Sequence, residues 1–272
     1  MTTVDRDEVV AALDEEWDAL AALAGELQPD DWGRDTACPG WTVKDHYSHI
    51  AGLEALLLGR EAPAVTLPDH LPHVRNDMGR ANEVWIEHYR SRGVPDLLAD
   101  LGEVVVSRRA ALAGMDQSRF DEPSWTPAGE DTYGRFMRIR VMDQWFHEQD
   151  VREATGRPGH LEGRAPDAAL TEVTAALGYV VGKKAGVPAG RSVRFELTGP
   201  VARRVDVEVG ERARVVDALR GTPTVTLTLP GERFLRIAGG RLRGADPLDD
   251  AVGIEGDRAL GETVVRELPF MI

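Results

Sequence analysis

Apolar residues recur at three- and four-residue intervals through the first half of the chain, and at every second residue through much of the last third. From Val4 to about Leu27, the residues Val9, Leu13, Trp17, Leu20 and Leu23 fall on one side, which predicts an amphipathic helix. Pro29, Asp30 and Gly33 end it. The segment Cys38-Pro39-Gly40-Trp41-Thr42 leads into a second helix. There Thr42 is a good N-cap, and Asp45, three residues on, sits where a carboxylate meets the positive end of the helix dipole. This helix runs through HYSHIAGLEALLLG to Gly59, and the Pro-rich stretch EAPAVTLPDHLP after it predicts a loop. Helical patterns return at 75–92, 96–113 and 133–155; in the last, Phe136, Ile139, Met142 and Phe146 form an apolar face. Long helices with few strand signals predict an up-down bundle.

After Gly156-Arg157-Pro158-Gly159 the pattern changes. DAALTEVTAALGYVVGK predicts a helix over 166–183, and then the period drops to two. Val193 to Leu197, Val205-Val207-Val209 and Val225-Leu227-Leu229 alternate as strands, separated by the turn residues Gly199-Pro200, Gly210 and Gly221. LPGERFLRIAGG and DRALGETVVREL predict short closing helices. The expected organisation is two domains, a helical bundle over 1–158 and a small α+β domain over 159–272, with sheet and helices segregated.

Composition narrows the function. At 272 residues and roughly 150 residues per domain, two domains are the natural count. The net charge is −14, and Lys occurs only at positions 44, 183 and 184, so the remaining basic residues are Arg. That balance argues against nucleic-acid and anionic-membrane partners. Cys38 is the one cysteine, so no intrachain disulfide forms and any metal site must lean on His, Asp and Glu. The acidic N-terminus has neither the basic nor the apolar region of a signal peptide, and no run nears the roughly 20 apolar residues of a bilayer span. A cytoplasmic protein is expected, as a monomer or weak homodimer.

Within DQWFHEQD, Asp143 and His147 stand four residues apart and share one helix face. A carboxylate and an imidazole so arranged suit a divalent metal such as zinc. The third ligand must come from another helix, where His46 and His49 compete; His49, one turn deeper, is preferred. A His49, Asp143, His147 set would leave a coordination position open, the catalytic rather than structural arrangement. A buried histidine bonded to a same-face carboxylate explains the spacing equally well.

The segment Cys38-Pro39-Gly40-Trp41-Thr42-Val43, continuing to His49-Ile50-Ala51-Gly52, closely resembles the N-terminal motif of the mycothiol-dependent maleylpyruvate isomerase family, within the wider DinB/YfiT-like metal-binding bundles. Arg138 to Asp150, with Trp145, His147, Gln149 and Asp150, resembles its second motif. Asp246-Pro247 and Ile254 to Leu260 resemble the end of the sterol-carrier-like (SCP2-like) domain that follows the bundle. The resemblance implies a DinB-like four-helix bundle with an α+β SCP2-like domain. It also implies a divalent metal, usually zinc, on His49, Asp143 and His147. The family's acid is usually Glu, and the shorter Asp143 requires a closer approach of its helix or holds the ion more weakly. A Gly-Arg pair of the C-terminal domain falls on Gly240-Arg241, making Arg241 the candidate catalytic residue that clamps a substrate carboxylate; Arg236 and Arg243 are rivals.

Cys38, next to Pro39 at a helix start, reads better as a packing or turn residue than as a nucleophile, and the external thiol that the resemblance implies is mycothiol. The Arg-over-Lys bias fits an actinobacterial source of high GC content. Three functions stay open at this point: cis-trans isomerisation of an unsaturated keto acid, transfer of the thiol to an electrophile, and a non-catalytic metal- and ligand-binding module. Trp32, Trp41 and Trp145 are expected to pack in the bundle. Asn76, Asp77 and Asn82 are candidate substrate contacts, and Asp150 is expected to bind backbone or an arginine.

Overall fold

The computed structural model describes residues 1–242 and 244–271. The chain divides into two compact units, Met1–Gly159 and His160–Ile272.

The first unit opens with α1 (Arg6–Glu26), capped by Asp5, whose carboxylate accepts from the Glu8 N–H. Its buried stripe is Val9, Leu13, Trp17, Leu20 and Leu23, the periodic set. After a 3-10 turn at Pro29–Gly33 comes α2 (Val43–Leu57), started by a capping box in which Thr42 and Asp45 bond each other's backbone N–H groups. Next are α3 (Asp77–Arg90), α4 (Val94–Ala113) with Pro95 in its first turn, and the single turn α5 (Gln117–Phe120). A hairpin, β1 (Pro123–Thr126) and β2 (Gly129–Thr132), leads into α6 (Tyr133–Thr155), which stops at Gly156 in the left-handed conformation. Helix α2 packs on α3, α4 and α6, and α1 packs on α6 and α4. Between them lies a core that includes Leu20, Leu23, Tyr47, Ile50, Leu97 and Val151.

Two features depart from the pattern. The hairpin is absent from the periodic reading because four-residue strands around Pro127 are too short to display a period. Asp131 anchors it to the chain start, accepting from the Thr2 N–H at 2.5 Å and the Thr2 hydroxyl at 2.9 Å. In α6 only Ile139 and Phe146 of the expected apolar face are buried; Phe136 and Met142 are half-buried. The interior side of α6 is instead Met137, Arg140, Val141, Gln144, His147, Glu148 and Val151, a face that polar residues conceal.

In the second unit, the helix expected over 166–183 is broken into α7 (Arg164–Ala175), α8 (Leu177–Tyr179) and a π-helical turn at Val180–Lys184. Strands β3 (Ser192–Thr198), β4 (Arg203–Val209), β5 (Ala213–Val216) and β6 (Val225–Pro230) follow, then α9 (Gly231–Ala238), β7 (Gly253–Gly256) and α10 (Arg258–Arg266). The break has a packing cause. A Cβ on Gly178 would stand 2.9 Å from the Ala213 carbonyl oxygen, and one on Gly182 would stand 2.6 Å from the Ala213 methyl. The helical segment is thus pressed against β5 at two glycines.

The sheet order is β5-β4-β3-β6-β7, antiparallel except for the parallel pair β3 and β6. Val193, Phe195, Leu197, Val225, Leu227 and Leu229 point to the covered face, where Phe195 meets Phe234 of α9 at 5.9 Å between ring centroids. Short strands β5 and β7 at the sheet edges were not among the expected elements, since ARVV and GIEG show no alternation of their own.

The close packing of α2 on α3 at Gly52 predicts a mutational outcome. At Gly52 of α2 a Cβ would fall 2.2 Å from Cγ and 2.3 Å from Cβ of Trp85 on α3. The nearer atoms belong to the root of that side chain, which cannot swing aside. Gly52→Ala, which favours a helix intrinsically, is therefore expected to destabilise the bundle by about 1–3 kcal/mol, read as a lower urea midpoint with an unchanged slope.

Candidate metal centre

Helix α2 brings in His46 and His49, and α6 brings in Arg140, Asp143, Gln144 and His147, at the three- and four-residue spacing that lines one helical stripe. The two helices pack together. His49 Nε2 lies 3.2 Å from Asp143 Oδ2, and His147 Nε2 lies 3.6 Å from Asp143 Oδ1. The two imidazole centroids are 4.8 Å apart. One ligand atom from each of the three residues lies within 4.8 Å of the others. Around a tetrahedral zinc with bonds of about 2.0–2.1 Å, ligand atoms sit roughly 3.3 Å apart, so two nitrogens and a carboxylate oxygen at these separations fit such an ion. The donor chemistry also fits zinc and its first-row neighbours rather than calcium or magnesium.

The charges are strongly coupled. Burial lowers the pKa of His49 further than the Asp143 carboxylate can restore, so this ring is neutral and ready to donate a lone pair. Burial also opposes protonation of His147, but Asp143 on one side, with Asp150 and Cys38 on the other, lifts it well above the ordinary imidazole value. Asp143 is held well below the carboxylate range, against the effect of its burial, by Arg140 first and then by the two histidines. Arg140 Nη1 donates to Asp143 Oδ2 at 2.5 Å.

That arginine also belongs to a buried network. Glu54 of α2 accepts from Arg108 of α4 at 2.7 Å and from Arg140 Nη2 and Gln144 Nε2 of α6, each at 3.0 Å. All four side chains are buried. The sequence reading missed this group, although Glu54 on the apolar run of α2 is a signal for it: an acid there must either point outward or find a buried cation.

Trp41 was expected to pack as ordinary core. It is half-buried and lies over the histidines, with centroids 5.4 Å from His46, 5.2 Å from His49 and 5.4 Å from His147. Its indole N–H donates to Glu83 Oε1 at 2.7 Å, and the same oxygen contacts His73 Nε2 at 2.8 Å. Trp32 and Trp145 are buried as expected. Behind His147 stand residues that the sequence assigned elsewhere: Asp150 accepts from the Cys38 thiol at 3.3 Å, and its Oδ2 is 3.7 Å from His147 Nδ1. Asp150 therefore meets a thiol and an imidazole.

The remaining expected positions fall as follows. Asn76 is the N-cap of α3, accepting from the Gly79 N–H at 2.8 Å, and Asp77 opens that helix; capping accounts for both. Asn82 is half-buried on α3. In the second unit Arg241 follows α9 and donates from Nη1 to the Gly239 carbonyl at 2.6 Å, while Arg236 donates to the carbonyl of Arg241. Arg243 lies outside the described residues.

A helical unit bearing a two-histidine, one-carboxylate donor set, followed by a mixed-sheet unit, defines the class of this protein. Residues 13–152 match the mycothiol maleylpyruvate isomerase N-terminal domain, and residues 167–263 match the C-terminal domain of the same group, so the chain belongs to the mycothiol maleylpyruvate isomerase family. Among solved structures it resembles the mycothiol-dependent maleylpyruvate isomerase, with a TM-score of 0.56 and 16% identity over 94% of this chain and 96% of that one. A histidine-to-alanine mutant of that enzyme gives a TM-score of 0.58 at the same identity and coverage. At this identity the likeness is one of fold. No curated protein matches the chain significantly. No helix is long and apolar enough to cross a membrane among the described residues.

Two outcomes follow from these charges. Glu54→Gln leaves two buried guanidiniums without their shared counter-charge, and is expected to cost about 3–5 kcal/mol in denaturant unfolding. In the metal-free protein at pH 7, His147 lies below its raised pKa and holds a proton that a metal at Nε2 must displace. Zinc uptake should therefore release about one proton, measured by calorimetry in buffers of different ionisation enthalpy. Apparent affinity should rise with pH and level off once His147 has titrated.

Proposed function

We propose that this chain is a divalent-metal-dependent enzyme of the maleylpyruvate isomerase type, which uses mycothiol to isomerise an unsaturated keto acid from cis to trans. The observation that carries the reading is the convergence of His49 Nε2, the Asp143 carboxylate and His147 Nε2 at zinc-ligand spacing. These three residues would hold the ion, zinc or a neighbour. With a position left open, such an ion supplies Lewis acidity and keeps a thiol as its nucleophilic thiolate.

The chain's own side chains support the remaining roles. Arg140 orients the Asp143 carboxylate from one side, leaving Oδ1 toward His147. The indole of Trp41 covers the imidazoles and keeps water from that side. The Cys38 thiol is committed to Asp150 at the Nδ1 side of His147, away from Asp143, which favours a sulfur brought in from outside. Arg241 is proposed to hold the substrate carboxylate by a charge-assisted bond. Transfer of the same thiol to an electrophile would use the same residues. The heavy Asp and Glu content favours small-molecule partners over nucleic acid.

The purified protein is expected to hold about one zinc or similar ion per chain by elemental analysis. His147→Ala should abolish that content while leaving the far-ultraviolet helical signal intact. With mycothiol and a panel of cis-unsaturated keto acids and electrophiles, the loaded protein should give trans product that depends on the thiol, and Arg241→Ala should raise KM more than it lowers kcat. Adducts in place of isomerised acid would establish the transferase instead. Full metal retention in the His49→Ala, Asp143→Ala, His147→Ala triple variant sinks the ligand assignment, and thiol-independent turnover or none sinks the enzyme assignment.

A further inference from the structure

His46 is the histidine that the metal assignment leaves over, and it is fully buried. Its Nε2 is 2.8 Å from Thr36 Oγ1, and its Nδ1 is 2.9 Å from Nδ1 of His147. A contact between two ring nitrogens needs one proton and one lone pair, so it has a direction.

Thr36 fixes that direction. Its hydroxyl donates its single proton to the Trp41 carbonyl at 3.0 Å, an atom that can only accept. Its oxygen already accepts the Cys38 N–H at 3.2 Å. A hydroxyl that has donated has two lone pairs, and one remains for His46 Nε2, which must therefore supply a proton. Neutral His46 is then the Nε2–H tautomer with a bare Nδ1, and the proton between the rings belongs to Nδ1 of His147. Asp150 gives the same answer from the other side. Its Oδ2 accepts the Cys38 thiol proton and stands 3.7 Å from His147 Nδ1, where a bare nitrogen lone pair would face a carboxylate.

We infer that the Trp41 carbonyl, Thr36, His46 and His147 form a hydrogen-bond wire of fixed polarity, which keeps a proton on Nδ1 of His147 and leaves Nε2, on the side of Asp143 and His49, as the nitrogen that would bind the metal. His46 and Thr36 are positioning residues for the metal ligand. The inference rests on the reading of His147 as a ligand. Which nitrogen of a ligating histidine binds is set by the hydrogen bond its other nitrogen makes, and this wire sets it from a backbone carbonyl three hydrogen bonds away. The competing use of the same side chains is a second ion held by Cys38, His46, His147 and Asp150, whose donor atoms also lie within 4.8 Å of one another. That arrangement, beside an ion at Nε2, would require His147 to surrender both ring protons, whereas the wire pairs the two Nδ1 atoms through one shared proton.

The test is nitrogen NMR on full-length protein labelled with 15N-histidine, metal-free and with added zinc. In both states His46 should be protonated at Nε2 and bare at Nδ1, with a 15N–15N coupling to His147 Nδ1 through the hydrogen bond. Thr36→Val should scramble the His46 tautomer and weaken zinc binding about 10–100-fold, and Thr36→Ser should restore both. Finding His46 protonated at Nδ1 overturns the wire. So does a Thr36→Val protein with unchanged tautomer and affinity, or a second equivalent of metal whose cobalt form shows a thiolate band lost in Cys38→Ser. If the wild type binds no zinc, the ligand reading fails on its own, while the metal-free spectrum still reports the wire's polarity.

Discussion

A carboxylate sealed between three helices, with two guanidiniums and an amide around it, is the constraint on which the bundle's register depends. Taking Glu54, Arg108 and Arg140 out of water costs several kcal/mol per ion unless their bonds are made in good geometry. Helices α2, α4 and α6 therefore have few ways to pack. Arg140 and Gln144 must both reach Glu54, and once they do, Asp143 and His147 are delivered to the same side of α6. Apolar packing alone would tolerate a slide or rotation of α6 at modest cost. An unpaired charge in the interior would not, so the ion network gives the site its precision.

The second constraint is that His147 uses both ring nitrogens. Nε2 faces Asp143, and Nδ1 faces His46 and Asp150. The loop before α2 supplies much of what surrounds the ring: Thr36 and Cys38 behind it, and Trp41 over its face. That loop is pinned by a bridge between Asp35 and Thr42, by the N–H of Val43 donating to the Arg34 carbonyl, and by the capping box of α2. The Cys-Pro-Gly-Trp-Thr segment is thus both a helix start and a wall of the site, so a change in its turn geometry reaches the imidazole directly.

Much of this was legible in the chain, and the losses have physical causes. The helical half declared itself through α1 and α2, where apolar residues mark the buried face and Thr42 with Asp45 marks a start. The alternation at Val193–Leu197, Val205–Val209 and Val225–Leu229 marked the three interior strands. Helix α6 was found as a helix, but its inner face was misread because that face carries Arg140, Gln144 and His147, which periodicity assigns to solvent. His49, Asp143 and His147 came together as spacing and resemblance had suggested. Glu54 and Thr36 did not appear in the reading, and Trp41 appeared there only as bundle packing, because their importance lies in partners as far as 86 and 106 residues away or in a backbone carbonyl. Neither long-range pairing nor the direction of a hydrogen bond leaves a mark in local sequence.

Asp143 owes its orientation to its surroundings. One oxygen, Oδ2, is shared by Arg140 and His49, while the other faces His147. Arg140 fixes the orientation of the carboxylate, and Glu54 fixes Arg140 in turn. The acid that would hold the metal is thus oriented from the structural network rather than by its own length. The same arginine would oppose a bound cation electrostatically, which weakens its binding relative to an unpaired carboxylate.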